Sequence, residues 1–168
     1  MLLLSELFDA SVIRLGMRAQ NKEQAIEELM DLVIESGAVE PELRDQMLDV
    51  VFQREQSMST GMEHGIALPH GSSDRVDKVV AAIGIAPNGI PFDSMDGNPA
   101  QIIILLVFPR DQFGVHVRHL AVIAQLLSNA SFREALIHAH DSEEVMNMLR
   151  SEGPTQGVPT NPSKGSEA

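Results

Sequence analysis

Residues 102–108 read Ile-Ile-Ile-Leu-Leu-Val-Phe, a run with no polar position. A strand with one wet face alternates apolar and polar residues, whereas a run apolar on both faces must be covered on both. This segment is therefore expected to be the central strand of a sheet held between helices. Residues 79–86 (Val-Val-Ala-Ala-Ile-Gly-Ile-Ala) form a second strand. Pro87-Asn88-Gly89 and Asp96-Gly97-Asn98-Pro99 supply turn chemistry between the two.

Helical periods flank these strands. Asn21 and Gln24 have capping-box spacing, and Ile26, Leu29, Met30, Val33 and Ile34 share one face until Gly37. A second helix is expected from Pro41, with Leu43, Met47, Val50 and Val51 on its buried face and Arg54 one turn further along. A charged residue on such a stripe is normally paired or points into a cleft. Beyond Pro109, His116, Leu120, Ile123, Ala124 and Leu127 share a face. Ser131 with Glu134, and Asp141 with Glu144, are spaced as capping boxes of two short helices. The expected fold is a single α/β domain over residues 1–150, a three-layer sandwich with helices on both faces of the sheet. Residues 151–168 hold little to bury and are expected to be a disordered polar tail.

Charge and composition narrow the function. The chain has 168 residues, enough for one core, with 12 Lys and Arg against 24 Asp and Glu and a net charge of -12. That field repels nucleic-acid phosphates and favours encounter with a basic protein surface. Cysteine is absent, so disulfides and thiolate zinc sites are excluded. The apolar run Met1–Leu4 is too short for a secretory segment, and no window has the roughly 18 uninterrupted apolar residues of a membrane span. A cytoplasmic location without membrane insertion is expected. Met30, Met47 and Met148 sit at helical core spacing and read as gap fillers.

The chemistry concentrates in residues 57–74. Gly61, Gly65, Pro69 and Gly71 interrupt any long element there, leaving Ile66–Leu68 as a short strand. His70 follows Pro69, whose fixed φ stiffens the approach, and precedes Gly71, which lets backbone amides come close to a group on the ring. With the Ser72 and Ser73 hydroxyls, those amides would form an anion-binding nest. An imidazole titrating near neutrality serves as nucleophile, base or metal ligand, while an exposed turn histidine is the plainer alternative. His64, His116 and His119 compete with it for roles. They show no His-Glu-x-x-His pattern and no helical carboxylate beside His116 and His119, and His138 and His140 add nothing, so no metal is expected. Ser57, Ser59 and Thr60 lack a Gly-x-Ser-x-Gly elbow, and Gly61–Gly65 lacks the Gly-Lys-Ser/Thr of a Walker loop. A histidine beside glycine-rich backbone, a second at a helix start and an arginine on an apolar face suit a transient phosphohistidine, provided the fold brings them together.

The stretch from Arg54 through Ser59-Thr60-Gly61 to Gly65-Ile66-Ala67-Leu68-Pro69-His70-Gly71 resembles the signature of fructose/mannitol-type IIA domains of the bacterial phosphoenolpyruvate-dependent phosphotransferase system. The likeness covers about residues 1 to 150. It implies a mixed, mostly parallel sheet and no cofactor. It further implies phosphorylation of His70 at Nε2 by a small histidine phosphocarrier protein. His116 matches the second active-site histidine, with His119 as the competing assignment, and Arg54 matches the family arginine. Thr60, Gly61, Gly71 and His64 would line the site. Residues 90–99 resemble the nitrogen-regulatory branch, whose members control proteins such as potassium transporters or kinases by direct binding. The absence of an attached IIB or IIC domain also suits a free-standing regulator. Many regulatory members carry Asn where His64 stands, and the polar tail is not a family feature. A sugar-specific component passing phosphate to a IIB protein is the alternative, and a non-catalytic regulatory binding protein is the alternative of another class.

Overall fold

The computed structural model describes residues 4–152. After two short 3-10 turns the chain runs through β1 (Ile13–Leu15), α1 (Lys22–Glu35), α2 (Arg44–Ser57), β2 (Ile66–Ala67), β3 (His70–Ser73) and β4 (Val80–Ile90). It continues through β5 (Ala100–Pro109), α3 (Phe113–Leu127), α4 (Ala130–Ile137) and α5 (Ser142–Ser151). The five strands make one mixed sheet. β4 lies between β1, to which it is parallel, and β5, to which it is antiparallel. β2 and β3 lie end to end along the other edge of β5, both parallel to it.

The apolar run of β5 is buried on both faces, and the pairing register sorts those faces. Partners across a ladder point the same way, so Gly71, Gly84, Ile103, Leu105 and Val107 share one face. A Cβ on Gly84 would meet Leu29 of α1, and one on Gly71 would meet Val50 of α2, which identifies the helices on that side. His70, Leu106 and Phe108 point to the opposite face, where the Phe108 ring stacks on His116 of α3. α4 packs against β4 and β5, and α5 against β1 and the first turns of the chain. The sheet is thus covered on both sides, as its doubly apolar centre requires.

Several local expectations change. Asn21 caps α1 by accepting from Gln24 N at 2.9 Å, but the Gln24 side chain reaches back to Gln20 N instead of Asn21 N. α4 is capped by Asn129, not Ser131, because the chain turns into the helix two residues earlier. Asp141 caps α5 as spaced, while Glu144 bonds His140 N. Pro87-Asn88-Gly89 is not a turn between strands; it lies within β4, where the register shifts between Ile85 and Ile90. Proline has no N–H to give a ladder, so a bulge is the place a long strand can hold it. α5 extends to Ser151, its amphipathic face buried through Val145, Met146 and Leu149. The rest of the expected tail, 153–168, lies outside the described residues. Among the described residues, no single helix is long and apolar enough to cross a membrane.

Candidate functional site

The glycine- and proline-broken segment becomes a strand because β5 offers it a partner. Leu106 N donates to Pro69 O at 3.1 Å, and Arg110 N donates to Ser73 O at 3.1 Å, so Pro69 and Ser73 turn their carbonyls toward β5. Alternation then turns the backbone groups of His70 and Ser72 outward, to the open edge of the sheet. The arrangement is an extended edge and not the nest expected from the glycine and serines. Gly71 serves α2 instead, since a Cβ there would come within 3.0–3.1 Å of Val50 backbone and side-chain atoms.

His70 is buried, with 9% of its surface exposed. Its Nδ1 lies 2.8 Å from Leu68 O. A carbonyl oxygen only accepts, so Nδ1 carries the proton and Nε2 keeps its lone pair. Burial holds the ring below its ordinary pKa of 6.5. The Leu68 bond opposes that depression, the Arg54 charge adds to it, and Glu55 opposes it more weakly. The neutral ring therefore presents one nucleophilic nitrogen.

His116 stands edge-on to His70, with ring centroids 5.2 Å apart at 81°. It also stacks on Phe108, at 3.9 Å and 15°. Phe108 is fully buried and fixed by β5, so it orients His116 while the register points His70 toward both rings. Burial first, then His70 and Arg54, hold His116 below its ordinary pKa as well. His119 is buried behind this pair. Its Nδ1–H donates to Val115 O at 2.7 Å, and its ring lies 5.9 Å from Phe108, tilted. His116 thus faces His70 and stacks on Phe108, while His119, one helical turn on, is held by the Val115 carbonyl.

A cleft of about 670 Å³ opens where α2 and α3, from opposite layers, meet over the edge strand. His70, Ser72, Arg54, Arg110, His116 and Val117 are among its lining residues, and none of those that line it is acidic. In a chain of net charge -12, that is a cationic recess in an anionic surface. Arg54 is half-buried and braced by Nη1 donating to Met58 O at 2.8 Å. The pattern of nucleophilic nitrogen, second imidazole and arginine around one recess is suited to an anion that arrives and leaves.

A family model described as "Phosphoenolpyruvate-dependent sugar phosphotransferase system, EIIA 2" matches residues 6–152. The chain belongs to that family. It is 32% identical over 146 residues to the fructose-specific EIIA component of Haloferax volcanii, covering 87% of this chain and 94% of that one. The crystal structure of nitrogen regulatory protein IIA-Ntr from Neisseria meningitidis is similar with a TM-score of 0.79 and 30% identity, over 88% of this chain and 99% of that one. Enzyme IIA for mannitol from Escherichia coli, solved in complex with phosphorylated enzyme IIB, is similar with a TM-score of 0.73 and 26% identity, over 86% and 97%. Regulatory and sugar-specific relatives therefore both surround this EIIA domain.

Of the other expected site residues of the EIIA domain, Gly71 lines the cleft, while Thr60, Gly61 and His64 stand behind it or away from it. Thr60 is buried, and its N and Oγ1 donate to Glu55 at 3.0 and 2.5 Å. Leu68 N donates to Thr60 O at 3.2 Å, so this turn supports the residue whose carbonyl fixes the His70 tautomer. Gly61 is required because a Cβ there would lie 2.7 Å from Phe92 O. His64 has an exposed side chain and a φ of 65°, bonds Asp96 through its backbone N–H, and does not line the cleft. Glu55 and Arg110 were not anticipated. The buried stripe of α2 runs Met47, Leu48, Val51, Glu55, so its buried charge is Glu55, ion-paired with Lys22 at 3.4 Å, with Arg54 beside it on the cleft wall. The i, i+4, i+8 spacing of Met47, Val51 and Glu55 carried that signal.

Proposed function

We propose that the chain is a phosphoacceptor and donor in a phosphoenolpyruvate-dependent relay, taking its phosphoryl group on His70 Nε2 from a histidine phosphocarrier protein. The observation that carries the reading is the Leu68 bond to Nδ1, which leaves Nε2 bare at the wall of a cleft lined by arginines and histidines. In the transfer the Nε2 lone pair forms a bond to phosphorus while the donor's P–N bond breaks, and that electron pair returns to the donor imidazole. Arg54 faces the charge on the equatorial oxygens, and His116 supplies a further hydrogen-bonding group. Onward transfer reverses the same steps. Likeness of residues 90–99 to the nitrogen-regulatory branch, together with the IIA-Ntr structural match, supports a regulatory role. In that role the phosphorylation state controls partner proteins, of the class of potassium transporters or kinases, in the cytoplasm where the relay operates. The 32% identity to a fructose-specific component favours a second reading, donation to a sugar-specific IIB protein.

The test incubates the purified chain with phosphoenolpyruvate, enzyme I and the phosphocarrier. Acid-labile, base-stable phosphate is expected on the wild type and absent from His70→Ala. No label on either leaves the non-catalytic binding protein as the reading. Rapid loss of the label to a fructose- or mannitol-type IIB protein replaces the regulatory role with the sugar-specific one.

A further inference from the structure

The -12 chain carries a second arginine into the cleft. Arg110 directly follows β5, and its backbone N–H is tied to Ser73 O at the end of β3, so its Cα is held beside the strand that bears His70. It lines the same cleft as Arg54: one arginine comes from α2, the other from the segment leading into α3. Arg110 also borders a neighbouring groove with Asp74, Asp77 and Asp111. Its ion pair there, Nη1 to Asp74 Oδ2, spans 3.8 Å between side chains that are 61% and 71% exposed.

An exposed pair at that distance is among the weakest ionic contacts in proteins, being hydrated and screened. A phosphoryl group on the buried His70 imidazole offers more. It has close to two negative charges, three acceptor oxygens and low-dielectric walls, and guanidinium binds such oxygens through paired, charge-assisted bonds. The competition between the two anions therefore has one direction.

We propose that Arg110 is a second phosphoryl-binding arginine, which leaves Asp74 for the phosphohistidine once His70 is modified. The assignment rests on His70 being the phosphoacceptor. It also supplies a readout of the modified state, because the exchange releases the already exposed Asp74 carboxylate, in the neighbouring groove, from its ion pair. Arg110 moves no proton; it binds the equatorial oxygens over which charge is spread as phosphorus passes between two nitrogens.

The experiment compares wild type, Arg110→Ala, Arg110→Lys and Asp74→Asn in single-turnover transfer from the phosphorylated carrier, with phosphorus NMR of each product. For Arg110→Ala the maximal transfer rate is expected to fall about 10-fold, less than the roughly 100-fold low end for losing one donor to a developing oxyanion because Arg54 stays in place, with a shifted phosphohistidine resonance. Arg110→Lys should restore part of the rate, since it keeps the charge but loses the fork. Asp74→Asn should not slow transfer, because it only removes a competing anion. A wild-type rate and resonance in Arg110→Ala would overturn the proposal while leaving His70 phosphorylation standing. So would an effect confined to the carrier concentration needed, which would place Arg110 in docking alone. No phosphate on the wild type would overturn both readings.

Discussion

His70 combines a fixed tautomer with burial, and the two have separate consequences. The Leu68 bond selects which nitrogen reacts, while burial lowers the pH at which that nitrogen becomes protonated. Phosphoacceptance should therefore persist below pH 6.5, where an ordinary imidazole would be more than half protonated. A pH–rate profile with its acid limb at or above 6.5 would contradict this. Stability has the same origin. Below 6.5 and above the lowered folded value, the unfolded ring binds a proton that the folded ring does not, so stability falls on acidification through this window. Urea titrations at pH 7 and at about pH 5.5 should show a smaller loss for His70→Gln than for wild type. Glu55 acts one step back, through Thr60 and Leu68. Glu55→Ala strands the buried Thr60 donors and should cost roughly 1–3 kcal/mol, with slowed phosphoacceptance; Glu55→Gln, which keeps an acceptor, should lose less. Nitrogen NMR of His70 checks the route. An unaltered Nδ1–H tautomer population in a folded Glu55→Ala protein would show that the turn does not control the ring. The sequence made His70 and Arg54 conspicuous by motif, but Glu55 was hidden by its type, since acidic residues are rarely core.

α2 and β3 meet at Gly71, and this contact sets how close Arg54 comes to the edge strand. The glycine's φ is unremarkable; what matters is the space taken by Val50 at 3.0–3.1 Å. Gly71→Ala should push the helix outward, costing about 1–3 kcal/mol as overpacked sites do, and should lower the transfer rate together with the melting temperature. Thermal unfolding and single-turnover transfer on the same sample test it, and an unchanged pair of values would mean that the helix yields without moving the site. Long elements were legible because their periods repeat: α1 keeps its face, and β5 keeps its doubly apolar run. β1 and β3 were not, because three or four residues are too few for a period and pair only when a neighbour offers its edge. The same applies to Pro87, whose turn chemistry became a bulge once β4 ran past it along β5.

Charge is arranged over the molecule as a cationic cleft within an anionic surface. A carrier with a basic docking face would be steered by the surface, and its phosphoryl group would be received by the cleft. The second-order transfer rate should therefore fall as salt rises from about 0.05 to 0.5 M, over which the Debye length shortens severalfold. The maximal single-turnover rate should change much less. Salt-independent association would show that the field plays no part in encounter. Fold class, the covered central strand and the candidate nucleophile followed from near-neighbour patterns, because strand alternation, helical period and turn chemistry act over a few residues. The meeting of Arg54, His70, Arg110 and His116 did not. It depends on β3 pairing along β5 in one register and on helices from both layers reaching the same edge. A one-residue slip would turn His70 to the other face, and nothing local to residues 57–74 sets that choice.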